Sequence, residues 1–127
     1  MIDREMNPDF LNSFLDYNIT ILNKSPNSIK EYNYDLMNFL KYIKIHFKLT
    51  TEKDWTKIII NDIVLDTIKK IKLEDIHSYI SYMATALKSS PATRARKISS
   101  IRIFFNYLCN KAKLIDTNPA QNLETPK

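Results

Sequence analysis

Glycine occurs nowhere in this chain, and proline only five times. A β-rich fold of this length relies on glycine at its tight turns, so the absence argues for helices joined by short loops. It also rules out a glycine-rich phosphate loop. Cysteine is nearly as scarce. The single Cys109 cannot form an internal disulfide, which fits a reduced cytoplasmic interior, and its helical surroundings predict a buried, inert thiol. Long apolar runs are missing too: Ile58-Ile59-Ile60 is far too short to cross a bilayer. The N-terminus carries Asp3, Arg4 and Glu5 instead of a basic segment followed by an apolar core, so no signal peptide is expected.

A further absence is local. Between Ile76 and Ile115 there is no Asp or Glu, while Lys88, Arg94, Arg96, Lys97, Arg102, Lys111 and Lys113 give that stretch a charge of +7. The whole chain carries +5, so the rest is close to neutral. One basic half on a near-neutral body has the form of a polyanion-binding surface; the competing reading is a solvated helix face. Hydrophobic residues make up 44%, enough for one soluble domain with a real core. The preference for Lys over Arg, with abundant Ile and Asn, points to an AT-rich bacterial genome.

The pattern of apolar positions predicts the helices. The first begins near Pro8 with Asn7 as cap, and Phe10, Leu11, Phe14, Leu15, Ile19 and Leu22 form its apolar face. Ser25-Pro26 opens a second helix running to about Phe47, with Ile29, Tyr32, Leu36, Phe39, Leu40, Ile43 and Phe47 inward and Lys30, Tyr34 and Lys41 opposite. Residues 49–71 have no clean period; an irregular, partly packed segment is expected, with a short helical turn around Asp66 to Lys70. A third helix spans Leu73 to Leu87, with Glu74 and Asp75 complementing its N-terminal dipole and Leu73, Ile76, Ile80, Met83, Ala84 and Leu87 apolar. Ser90-Pro91 opens a fourth helix to about Lys111. Ile98, Ile101, Phe104, Phe105, Leu108 and Ala112 face its core; Arg96, Ser99, Ser100 and Tyr107 lie on the far side, Lys97 and Arg102 at the margins, and Arg94 projects from the first turn. Asn118-Pro119 is expected to open a short terminal helix, and Thr125-Pro126-Lys127 a linker. The organisation predicted is a helical domain over 1–117, then a short helix and linker start over 118–127.

Catalytic constellations are wanting. His46 and His77 are isolated from each other and from Cys109, without metal-ligand spacing, so no metal or cofactor is expected. His46 near a helix end and His77 on a polar helix face read as structural or solvated. No cluster of Arg, Lys and His surrounds any of the seven tyrosines to activate a phenol. On its own the chain reads as non-enzymatic.

The fourth helix is suited to phosphate. Its first turn offers free backbone N–H groups and the positive end of the dipole, Ser90 and Thr93 add hydroxyls, and Arg94, Arg96 and Lys97 add charge. Asn27, Lys30, Tyr34 and Lys41 on the second helix form a companion surface.

At these residues the sequence resembles a known family. Ser90-Pro91-Ala92-Thr93-Arg94-Ala95-Arg96-Lys97-Ile98-Ser99-Ser100-Ile101-Arg102, continuing Ile103-Phe104-Phe105-Asn106-Tyr107-Leu108, resembles the last long helix of the core-binding domain of Xer-like tyrosine recombinases, the phage-integrase family. That family's pattern is roughly S-P-x-T-x-x-R-K-L-S-x-[IL]-R-x-F-F-x-[FY]-L. Ser28-Ile29-Lys30-Glu31-Tyr32-Asn33-Tyr34-Asp35-Leu36 is similar to its T-[IL]-x-x-Y-x-x-D-[LI] helix. Leu73-Glu74-Asp75-Ile76 matches the start of its third helix, and Asn118-Pro119-Ala120 the segment leading to its catalytic domain.

The resemblance implies an all-α, four-to-five-helix SAM-like bundle that clamps one face of double-stranded DNA while a catalytic domain clamps the other. By carry-over, Thr93, Arg96, Lys97, Ser99 and Ser100 approach DNA from the fourth helix, and Asn27, Ser28, Lys30 and Tyr34 from the second; Asp35 is structural. Two departures stand out: Asn33 and Tyr34 replace basic residues common in relatives, and the segment from Thr50 to Lys72 is longer than in compact members. The family's catalytic Arg, Lys, His-x-x-Arg and nucleophilic Tyr have no counterpart, since Leu49 and Ile80 follow His46 and His77 at the third position. Recombination chemistry is therefore expected in a separate C-terminal domain. Other recombinase protomers on DNA are the implied protein partners, and the isolated domain is expected to be a monomer. The rival reading is a helical protein–protein module, resting on apolar anchors such as Ile103 or Tyr107.

Overall fold

A computed structural model describes residues 2–125; Pro126 and Lys127, where the linker is expected, lie outside the described residues. Among the described residues the fold is all-helical, without strands. Its helices are α1 (Asp9–Thr20), α2 (Pro26–His46), α3 (Leu65–Lys69), α4 (Leu73–Thr85) and α5 (Pro91–Asn106). Short 3-10 turns lie at Arg4–Met6 and Trp55–Lys57, and a π-helical turn at Tyr107–Lys111 continues α5. The chain divides into two compact units, one ending at Leu65 and one beginning at Asp66.

In the first unit α1 packs on α2. Phe10, Leu11, Phe14 and Leu15 are buried as their spacing predicts, and Phe14 meets the Tyr32 ring at 5.8 Å. The entrance to α1 differs from expectation. Pro8 is the cap and Asp9 the first helical residue, because Asn7 turns inward. Its buried Nδ2 donates to Asn12 Oδ1 at 3.1 Å and Asn33 Oδ1 at 2.7 Å, tying α1 to α2 instead of capping. The far end differs as well. Asn18, donating to the Phe14 carbonyl at 2.8 Å, takes the buried position, and Ile19 and Leu22 are exposed.

On α2 the predicted stripe of Ile29, Leu36, Phe39, Leu40 and Ile43 is buried, with Tyr32 and Phe47 half-buried. Asp35 is buried too, consistent with a structural part. The irregular segment after α2 is held by polar anchors. Lys44, only 6% exposed, donates to the Ile59 carbonyl and to Asp62, and Lys41 donates to the Trp55 carbonyl at 3.0 Å. Trp55 Nε1 donates to Asn38 Oδ1 at 3.1 Å. Ile58, Ile60 and Ile63 are buried while Ile59 is exposed, so the apolar run alternates sides without forming a strand. The Thr56 hydroxyl, and then its backbone N–H, hold the exposed Asp54 carboxyl below its ordinary range.

In the second unit the short helical turn expected near Asp66 to Lys70 is α3, with Ile68 buried. The Asp75 carboxylate receives the Lys72 N–H at 2.8 Å and starts α4. Ile76, Tyr79 and Met83 form the inward face of α4, which ends at Thr85 and leaves Leu87 exposed. Helix α4 packs on α5, where Ile98, Ile101, Phe104, Phe105 and Leu108 are buried. Ala112 is half-buried. After Ile115 the expected terminal helix is replaced by consecutive turns: Asn118 Oδ1 caps the Ala120 N–H at 2.9 Å, and Leu123 N–H then bonds to the Ala120 carbonyl. Ala120 and Leu123 are buried.

Without glycine, the chain makes its helix-ending reversals with other residues. Asn23, Lys48, Lys88 and Lys113 have φ between 51° and 57°, the left-handed region, just after α1, α2, α4 and the π turn. The reversal at Lys88 lets Ser89 N–H reach the Met83 carbonyl at 3.0 Å, and that at Lys113 lets Leu114 N–H reach Leu108 at 2.8 Å. These bonds satisfy carbonyls that the helix ends would leave open.

Candidate nucleic-acid interface

The two helices expected to meet DNA start alike. In Ser25-Pro26-Asn27-Ser28 the Ser25 hydroxyl accepts the Ser28 N–H at 3.2 Å and lies 3.1 Å from the Ser28 hydroxyl. In Ser90-Pro91-Ala92-Thr93 the Ser90 hydroxyl accepts the Thr93 N–H and lies near the Thr93 hydroxyl, both at 3.1 Å. Each cap fixes one backbone donor and leaves the remaining first-turn N–H groups at the positive end of the dipole. Ser28 and Thr93 thus belong to the caps themselves.

On α2, Asn27 and Lys30 are exposed and so is Tyr34, at 54%. Lys41, expected beside them, is half-buried and spends its ammonium on the Trp55 carbonyl. The residues expected to form the companion surface that remain exposed, Asn27, Lys30 and Tyr34, thus lie in the first three turns of α2.

On α5, Thr93, Arg96 and Lys97 are half-exposed and Ser99 exposed. Arg96 and Lys97 each also keep an interaction within the chain. Arg94 does not project: its guanidinium folds back onto the Ser89 carbonyl, bracing the connection from α4. Ser100 is a correction. Expected on the far side, it is 2% exposed, because it lies on the same side as Phe104, one turn away, and within the buried arc. Tyr107 is half-buried.

The outermost positions of α5 are instead Ser99, Arg102 and Asn106, three and seven residues apart on one face. They line a groove of about 710 Å³ whose opposite wall is the turn segment containing Asp116 and Asn118. Arg102, expected at the margin, is instead one of these outermost positions; the i, i+3, i+7 spacing is the signal for it, while the opposing turn segment leaves no local signal in the sequence. Cys109, expected buried, is half-exposed and belongs to the same groove. The remaining polar candidates are unremarkable: His46 stacks on Tyr42 at 5.4 Å, and His77 is exposed. Among the described residues no group of three His, Cys, Asp or Glu is placed to hold a metal ion. No described helix is long and apolar enough to cross a membrane.

Comparison with known proteins gives a consistent answer. Residues 10–113 match the family described as phage integrase, N-terminal SAM-like domain. The chain is 40% identical over 121 residues to a protein named tyrosine recombinase XerC from Caldanaerobacter subterraneus subsp. tengcongensis, covering 94% of this chain and 34% of that protein. It is 34% identical over 103 residues to a tyrosine recombinase XerD from Oceanobacillus iheyensis, covering 81% and 29%. A tyrosine recombinase from Pseudothermotoga lettingae shares 31% over 117 residues, covering 92% and 35%. The chain thus spans about a third of the length of these relatives. No solved structure matches it. With an all-helical fold and a family match over most of its length, the chain belongs to the phage integrase N-terminal SAM-like domains of Xer-like tyrosine recombinases.

Proposed function

We propose that this chain grips duplex DNA as the core-binding domain of a site-specific tyrosine recombinase that serves DNA integration or recombination. The observation that carries the reading is α5: a capped, dipole-positive N-terminus followed within two turns by Arg96 and Lys97 and then by the exposed Ser99, in a stretch free of acidic residues. Asn27, Lys30 and Tyr34 on α2 supply a second set of donors in the first unit. Contacts of this kind go mainly to phosphates, so they fix position and register more than sequence. Strand cleavage belongs to catalytic residues outside this chain, and this segment works without a cofactor. The reading places it in the cytoplasm of a bacterium, as one domain over residues 1–117, monomeric when isolated.

A second reading has one observation in its favour. Ile19, Ile21 and Leu22 are all exposed at the end of α1, Ile21 at 67%, which suits a contact with a neighbouring recombinase protomer on DNA. Gel-shift titration of a duplex at two salt concentrations tests the leading reading. Affinity should fall steeply with salt; salt-insensitive binding, or none, sinks it in favour of the protein-contact reading.

A further inference from the structure

We propose that the groove beside Arg102 is a second phosphate subsite, taking a backbone phosphate of the same DNA duplex; this rests on the DNA-binding reading above. Three observations carry it. First, Arg102 is exposed in the groove, and its guanidinium makes no hydrogen bond or ion pair among the described residues. Five N–H donors in a planar fork are thus available to an oxyanion.

Second, two neighbouring amides keep spare donors. Asn118 Oδ1 takes the Ala120 N–H at 2.9 Å, and Asn106 Oδ1 takes Asn110 Nδ2 at 2.6 Å. Both Asn118 and Asn106 line the groove, and neither side-chain NH₂ donates a hydrogen bond among the described residues. These donors, with the Arg102 fork, suit an oxygen-rich anion. Third, Ser99 also lines the groove and sits midway along α5 between Arg96 and Arg102, so the groove adjoins the basic stretch of the helix. Those two arginines are six apart, about 9 Å along the helix axis and about 120° around it, so Arg102 would meet a phosphate other than the one that Arg96 meets.

Asp116, exposed on the opposite wall, is the one acid lining the groove. It opposes an incoming phosphate and so weakens the subsite. That gives the proposal a consequence of opposite sign, which loss of structure would not produce.

The test uses the intact chain, a salt-titrated duplex, and Cys109 as a built-in reporter, since this sole cysteine lines the groove. Arg102→Gln should weaken duplex binding roughly tenfold and reduce the salt slope by about one, with unchanged melting. Asp116→Asn should tighten it. Saturating duplex should slow alkylation of Cys109 in the wild type but not in Arg102→Gln. If Arg102→Gln binds with wild-type affinity and slope while Arg96→Ala/Lys97→Ala is weakened, the groove proposal is overturned and the DNA reading stands. If the wild type binds no duplex, both fall. Inorganic phosphate alone protecting Cys109 as fully as duplex would mark a free-anion site and overturn the assignment to the DNA backbone.

Discussion

The Lys44 ammonium lies 2.9 Å from the Asp62 carboxylate and 2.9 Å from the Ile59 carbonyl, so a nearly buried cation anchors the irregular segment to α2. Asp62 is 55% exposed, which leaves solvent to screen its half of the pair. Removing the acid strands the cation. Asp62→Ala should cost about 1–2 kcal/mol in a denaturant melt. Lys44→Met removes the charge but keeps the packed stem, and should cost less. The reverse order would mean the pair is decoration on a segment held by its isoleucines.

The left-handed residues make a second prediction. Lys88 and Lys113 hold a conformation that disfavours any side chain with a Cβ. Lys88→Gly and Lys113→Gly should each stabilise the fold by about 0.5–1 kcal/mol, read as a higher melting temperature. Ser81→Gly, at an exposed position inside α4, should destabilise it by about as much. A destabilised Lys88→Gly would show that the lysine side chain itself matters there.

Neighbouring serines on α5 should behave differently. Ser99 is exposed on α5 and Ser100 is buried. Ser99→Ala should weaken duplex binding modestly and leave the melt alone. Ser100→Ala should change stability and leave the salt slope of binding intact. Phe104→Ala, which empties a fully buried position, should cost about 3–5 kcal/mol.

The helices were legible because their signals are local. Ser25-Pro26 and Ser90-Pro91 fix two N-termini to the residue, and the apolar periods of α2 and α5 name most of the core. What was not legible depended on partners distant in sequence. Asn7 reads as a cap until Asn33, on another helix, claims its amide. Lys41 reads as a surface cation until Trp55 offers a carbonyl. Ser100 looks polar and therefore outward, yet its angular position lies within the apolar arc. Arg102 gained significance only when the turn around Asn118 formed the opposite wall of a groove.

The central claim is that α5 grips DNA through its cations, and one experiment addresses it directly: duplex binding of wild type and Arg96→Ala/Lys97→Ala across a salt series, with melting measured alongside. Wild-type dissociation constants in the range of about 10⁻⁴ to 10⁻⁶ M at physiological salt, tightening steeply as salt falls, are expected for half a clamp. The double variant should lose most of that affinity and keep its fold. A double variant that binds as well as wild type, or a wild type that ignores DNA even at low salt, would contradict the account.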